Sequence, residues 1–257
     1  MKYQFFSERC SGSNFIQATV EANYPALHST DEYGFKHFLE EKFLEESVFS
    51  DELLFLVVIR NPFDWLRSIH RKPWHCAHHL RGLEFSEFIR AEWQCVWDEQ
   101  AQISRSDSRW MTEMMSERNP LRDGERFKNV MELRKVKYTV WRERLSAHPN
   151  TVFINYDAFN ESPRSVLDTL AHAQGLKELE TINVPLGYKG RLSLIMKLAL
   201  FFSFGRIGGY KPKPKHPIAL VDLDYIVSGL DSDLERQYGC DVEALVEAER
   251  AYTRSVE

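Results

Sequence analysis

The strongest pattern in the chain is LLFLVVIR, Leu53–Arg60, a run of Leu, Phe and β-branched residues with no polar position before its last residue. A continuous apolar run of this kind, rather than an alternating one, predicts a strand covered on both faces in a parallel sheet. KYQFF at the N-terminus and TVFINY, Thr151–Tyr156, predict two more strands. Patterns of helical period lie between them at Phe85–Ile103 and Phe127–Ala147. Strands alternating with helices predict a layered α/β fold.

Two strand ends carry polar punctuation. FFSERCSGSNFIQATV, Phe5–Val20, breaks at Ser7 and resumes as an amphipathic pattern, which predicts a strand-to-helix turn around Gly12. Ser11, Gly12 and Ser13 then sit where backbone N–H groups converge on an anion. RNPFDWLRS, Arg60–Ser68, follows the buried strand, with Pro62 suited to the first turn of a helix. In an open parallel sheet, ligands bind outside the carboxyl ends of the strands. Gly12 and Arg60 therefore open onto one crevice if their strands are neighbours. Arg60 offers a planar fork of donors for a phosphate, and Ser68 a hydroxyl for the same group. EYGFKHFLEE, Glu32–Glu41, adds Lys36 and His37 after a short strand or extended segment.

Composition narrows this picture. The 257 residues, 43% of them hydrophobic, suit one domain spanning 1–257. A net charge of −5 argues against a surface built to neutralise nucleic acid. Cys10, Cys76, Cys95 and Cys240 are widely spaced, without a CxxC pair, and read as reduced thiols. A strand that begins almost at once leaves no room for a signal peptide. No apolar run reaches the roughly 18 residues of a spanning helix, so the expected location is cytoplasmic.

The pair Ser11-Gly12-Ser13 and Arg60-Asn61-Pro62-x-Asp64-x-x-x-Ser68 resembles the sulfotransferases that use 3′-phosphoadenosine 5′-phosphosulfate (PAPS). The resemblance covers about the first quarter of the chain. It implies a three-layer α/β/α, P-loop-NTPase-like architecture with a central, mostly parallel sheet. It further implies that Arg9, Cys10, Ser11, Gly12, Ser13 and Asn14 form the loop at the 5′-phosphosulfate, and that Arg60 and Ser68 hold the 3′-phosphate. Tyr156-Asp157 is similar to the family's Tyr-Glu-Asp segment, and places Tyr156 beside the cofactor. Lys36 and His37 resemble the family's Lys and His beyond the second strand, where His takes the acceptor proton and Lys supports the transferring group. The chain departs from the best-known pattern at Cys10, where a Lys precedes the Ser-Gly pair. Arg9, one residue earlier, is the candidate for the missing charge. Such chemistry needs fixed donors for the leaving charge and one base, and demands no metal.

HRKPWHCAHHL, His70 to Leu80, is dense in histidine, but its spacing fits neither a CxxC pair nor HExxH. It reads as a loop after the Arg60 helix that lines the acceptor cleft. From Thr181 to Val221 there is no acidic residue, in a protein that is acidic overall. Within that basic segment, Leu192–Phe204 predicts a buried or an interfacial helix. GRIGGYK, Gly205–Lys211, supplies Arg206 and Lys211 either to the cofactor phosphates or to anionic lipid at a membrane surface. The expected activity is sulfuryl transfer from PAPS to a hydroxyl acceptor, a carbohydrate or glycolipid being favoured over a small metabolite. The alternatives are a kinase-like phosphotransferase, which lacks its GxxxxGK[ST] loop here, and a catalytically silent binder of 3′-phosphoadenosine 5′-phosphate (PAP).

Overall fold

The computed structural model describes residues 1–101, 103–185 and 215–256. Four parallel strands form its sheet: β1 (Lys2–Ser7), β2 (His28–Ser29), β3 (Leu53–Ile59) and β4 (Thr151–Asn155), in the order β2-β1-β3-β4. In register, Lys2 pairs with Leu53 and Ser7 with Val58, while Phe55 pairs with Thr151 and Ile59 with Asn155. Every residue of β3 is buried, because helices cover both faces. Leu53, Phe55, Val57 and Ile59 enter one core, and Leu54, Leu56 and Val58 the other. The two-residue period of a strand thus splits one apolar run between two layers.

Helix α1 (Ser13–Asn23) packs Ile16 and Val20 into the second core, alongside α6 (Tyr156–Glu161) and α7 (Pro163–Gln174). The opposite face carries α3 (Pro62–Arg71), α4 (Phe85–Arg90), α5 (Val130–Leu145) and α8 (Leu220–Gly229). The short α2 (Glu41–Glu45) follows the Lys36 turn, and α9 (Ser232–Gln237) and α10 (Val242–Val256) complete the described chain. This is an α/β fold with helices on both sides of a parallel sheet. Neighbouring strands β1 and β3 lead into helices on opposite faces, α1 and α3. Their carboxyl ends therefore flank the topological switch point, where open α/β sheets bind ligands.

The helix starts are set locally. Asn61 accepts from the amides of Phe63 (2.9 Å) and Asp64 (3.4 Å), and Pro62 supplies the preset φ of the first turn. Asn129 caps α5 in the same way, which starts that helix at Val130 rather than Phe127. Asn155 caps α6, so β4 stops one residue before Tyr156.

The helix expected over Phe85–Ile103 ends at Arg90. Beyond it, Trp93 forms an antiparallel bridge with Phe127, and Cys95 one with Cys76. Trp93 and Cys95 are both buried, an alternation that suits an extended backbone, and pairing with distant segments outweighs local helical propensity. Residues Leu192–Phe204, Arg206 and Lys211 lie outside the described residues. At the end of that basic segment, Lys215 pairs with the buried Glu249, which also clasps Arg67 of α3. Among the described residues, no helix is long and apolar enough to cross a membrane.

Candidate functional site

Two adjoining cavities open at the switch point, of about 430 Å³ and about 720 Å³, and both are lined by Arg60 and Ser68. The smaller is bounded by the turn after β1, the Lys36–His37 turn and the Trp74–His75 turn. The larger runs past α3 towards Tyr156, Asp157 and Lys215. Motifs that are tens of residues apart in sequence thus share one crevice.

Gly12 forms the N-terminal cap position of α1 with φ +85°, and among the described residues no side chain caps that helix. The first amides of a helix have no intrahelical acceptor, so the amides of Gly12, Ser13 and Asn14 stay available to an anion. Glycine is required here twice over. Its φ lies in the left-handed region, and a Cβ would stand 2.1 Å from the Tyr156 ring. Tyr156 in turn lies under Arg60, whose Cζ is 5.1 Å from the ring centroid. Arg60 Nη1 donates to the Cys10 carbonyl at 2.9 Å, while its buried Nε has no partner among the described residues. From behind, Arg134 donates to the Arg60 carbonyl at 2.7 Å and is itself neutralised by Glu235. Asp157 accepts from the Asn61 amide at 2.8 Å, which ties the end of β4 to the start of α3.

Lys36 supplies the positive charge beside α1. Its Nζ donates to Asn14 Oδ1 and, at 3.4 Å, to Gln17 Oε1, so the ammonium sits at the first turns of the helix. Burial lowers its pKa. The Lys36 carbonyl accepts from Ser7 N at 2.9 Å, which fixes this turn to the end of β1. His37 Nδ1 lies 2.8 Å from the Ser7 carbonyl. A carbonyl only accepts, so Nδ1 carries the proton and Nε2 keeps its lone pair. Burial first, then the Lys36 charge, hold the His37 pKa well below the usual imidazole value. The ring is neutral near pH 7.

Arg9 departs from the expectation. Its side chain is fully buried and turns away from both cavities, pairing with Glu8 at 2.8 Å and lying 3.8 Å from Glu117. Lys137 completes the group, 3.6 Å from Glu8, in contact with Glu117, and donating to the His37 carbonyl at 2.5 Å. Two carboxylates and two cations cancel there, as buried charges must. Arg9 therefore anchors the β1 turn from below and cannot reach a ligand above it. Ser11 is also fully buried, with Oγ unpartnered among the described residues, and does not line either cavity. The residues of the β1 turn that do line the smaller cavity are Cys10, Gly12, Ser13 and Asn14. Cys10 has φ +62° and a thiol pushed up to about 11 by burial, so it is a neutral thiol held in a strained turn.

The histidine-rich stretch separates into different roles. His70 bonds the Leu83 carbonyl from within α3, and His78 and His79 form a 3₁₀ turn. His75 is 1% exposed, lines the smaller cavity, and places Nδ1 2.8 Å from the Asp98 carboxylate. Asp98 also accepts from the His75 amide at 2.9 Å. The sequence flagged the stretch but gave no sign of Asp98, which is brought in by the Cys76–Cys95 bridge. A comparison of the chain with protein-family models, with curated proteins and with solved structures finds no match to any of them.

Proposed function

We propose that this protein transfers a sulfuryl group from PAPS to a hydroxyl of a carbohydrate or glycolipid, on an architecture of the P-loop sulfotransferase kind. The observation that carries the reading is the sharing of Arg60 and Ser68 between two cavities, one of which also holds an uncapped helix N-terminus, a lysine and a neutral histidine. A ligand with anionic groups at two separate points suits that arrangement. The fit is favourable on the residues present: among the described residues the Arg60 Nε is buried without a partner, and the Gly12 turn leaves amides uncapped.

PAPS, when bound, supplies the sulfuryl group and a phosphate as the leaving group. Arg60 and Ser68 hold the 3′-phosphate, and the amides of Gly12, Ser13 and Asn14 face the 5′ end. Lys36 takes the place of the lysine absent from position 10, because its ammonium reaches the same helix turn from a different loop. These fixed donors stabilise negative charge on the departing phosphate, typically by about 3–4 kcal/mol for one well-placed donor. His37 accepts the acceptor's proton at Nε2, while Ser7 and Lys137 hold its ring and backbone in place. Asp157 and Tyr156 brace the turn that presents Arg60.

A thermal-shift comparison tests the donor class. PAP is expected to stabilise the protein strongly and ATP with magnesium weakly, since only PAP carries a 3′-phosphate. Equal shifts with the two ligands refute the reading.

A further inference from the structure

The described aromatic residues are mostly enclosed: Trp65, Trp93 and Trp141 are 0–1% exposed. Trp74 is 39% exposed and lines the smaller cavity beside His75. The turn that presents it is held firmly. Trp74 N donates to the Lys72 carbonyl at 2.8 Å, and His75 adopts φ +55°. Asp98 fixes both the amide and the ring of His75. A non-glycine residue in that backbone region costs about 1–3 kcal/mol and persists where its surroundings impose it.

His75 and His37 face the same cavity from different turns, with ring centroids 6.3 Å apart. Phe35 meets both rings edge-on, at 5.3 Å and 6.0 Å, and Phe38 meets His75 at 5.1 Å, so neither imidazole is free to turn. Each ring has Nδ1 engaged, by the Ser7 carbonyl in one case and the Asp98 carboxylate in the other. Neither Nε2 has a hydrogen-bond partner among the described residues. Burial lowers both pKa values; Lys36 adds to the effect at His37, while Asp98 opposes it at His75, and the cations Arg9 and Lys137 lie behind. Both rings are therefore neutral and present lone pairs at neutral pH. Two lone pairs side by side accept from two hydroxyl groups and offer nothing to an anion.

We propose that the Trp74–His75 turn is the acceptor subsite, shaped for one saturated ring with vicinal hydroxyls: Trp74 stacks on its C–H face, and His37 and His75 each accept from one of two neighbouring hydroxyls. The proposal rests on the sulfotransferase reading and narrows it, since it names a pyranose-like acceptor in preference to a phenol. His37 engages the hydroxyl that is to be sulfated and His75 the adjacent one. His75 is thus a positioning residue that sets which hydroxyl meets His37. The cavity of about 430 Å³ is of a size to take a single ring, and an aromatic wall with a few fixed polar groups is the usual make-up of such sites.

The full chain saturated with PAP is to be titrated with methyl glucopyranoside, cyclohexane-1,2-diol, cyclohexanol and phenol, followed by saturation-transfer NMR. The pyranoside and the diol are expected to bind, the diol at least about tenfold more tightly than cyclohexanol, the cost of leaving one buried acceptor unpaired. Trp74→Ala and His75→Asn should each weaken the pyranoside at least about tenfold while PAP affinity stays within a fewfold. Asparagine tolerates the left-handed backbone at position 75, and Trp74 is partly exposed, so PAP binding reports that both variants are folded. Equal binding of diol and cyclohexanol, tighter binding of phenol, no effect of either variant, or no diol or pyranoside binding to the PAP-loaded protein overturns the subsite and leaves the donor assignment standing. Failure of the wild-type protein to bind PAP overturns the sulfotransferase reading, and the subsite with it.

Discussion

Arg60→Ala separates the two jobs that the side chain performs. In the unliganded protein it loses one hydrogen bond to the Cys10 carbonyl, worth about 1 kcal/mol, and one stacked contact with Tyr156, worth about 0.5–1 kcal/mol. That sum, of roughly 2 kcal/mol, lowers the melting temperature by several degrees in a chain of this size. Against the 3′-phosphate the loss is a charge-assisted bond, about 1.5–3 kcal/mol, or a ten- to 150-fold rise in the PAP dissociation constant. Binding to the native state alone adds about 2.7 kcal/mol of stability when PAP is at a hundred times the wild-type constant. If the constant rises about fiftyfold, the same PAP concentration stabilises the variant by only about 0.6 kcal/mol. Calorimetric titration with PAP and with AMP completes the assay, because AMP has no 3′-phosphate and should lose no more than a fewfold. Equal losses for PAP and AMP would mean that Arg60 only shapes the turn. Unchanged PAP affinity would place the 3′-phosphate elsewhere.

Other residues give independent expectations. His37→Ala should reduce single-turnover sulfuryl transfer about 10²- to 10⁴-fold, with PAP affinity within a fewfold, and Lys36→Ala should also depress it; wild-type turnover in His37→Ala would exclude this base. Lys137→Met leaves Glu8 and Glu117 facing Arg9 alone, and should destabilise the fold by about 3–5 kcal/mol in urea titrations, with partial rescue by Glu117→Gln. A loss below about 1 kcal/mol would show that the buried charges are not balanced in the way described. His37 and His75 both resist protonation when folded, so below the ordinary imidazole pKa of about 6.5 the unfolded chain binds more protons than the folded one. Stability should therefore be full above about pH 7 and fall as pH drops through 6.5, with a slope of up to about 1.4 kcal/mol per pH unit for each histidine. His37→Gln should reduce that slope, and a flat profile from pH 7.5 to 5.5 would contradict the burial of both rings.

The sequence by itself determined the elements whose cause is local. Leu53–Ile59 reads as a strand buried on both faces because no polar residue interrupts it, and Asn61-Pro62 starts a helix through its own cap and fixed φ. Gly12 could be read as a turn residue, and Arg60 and Ser68 as groups at one strand end, because short-range geometry sets both. The sequence did not determine the direction of Arg9, which the tertiary structure turns inward because Glu8, Glu117 and Lys137 converge to neutralise it. Nor did it place Lys36 on the α1 turn, or Tyr156 against Gly12, or end α4 at Arg90. His75 could be seen only as one of several clustered histidines until the Cys76–Cys95 bridge brought Asp98 to its ring. Periodicity and capping act within a few residues, whereas the burial of charge and the pairing of unlike segments depend on which distant parts of the chain the core brings together.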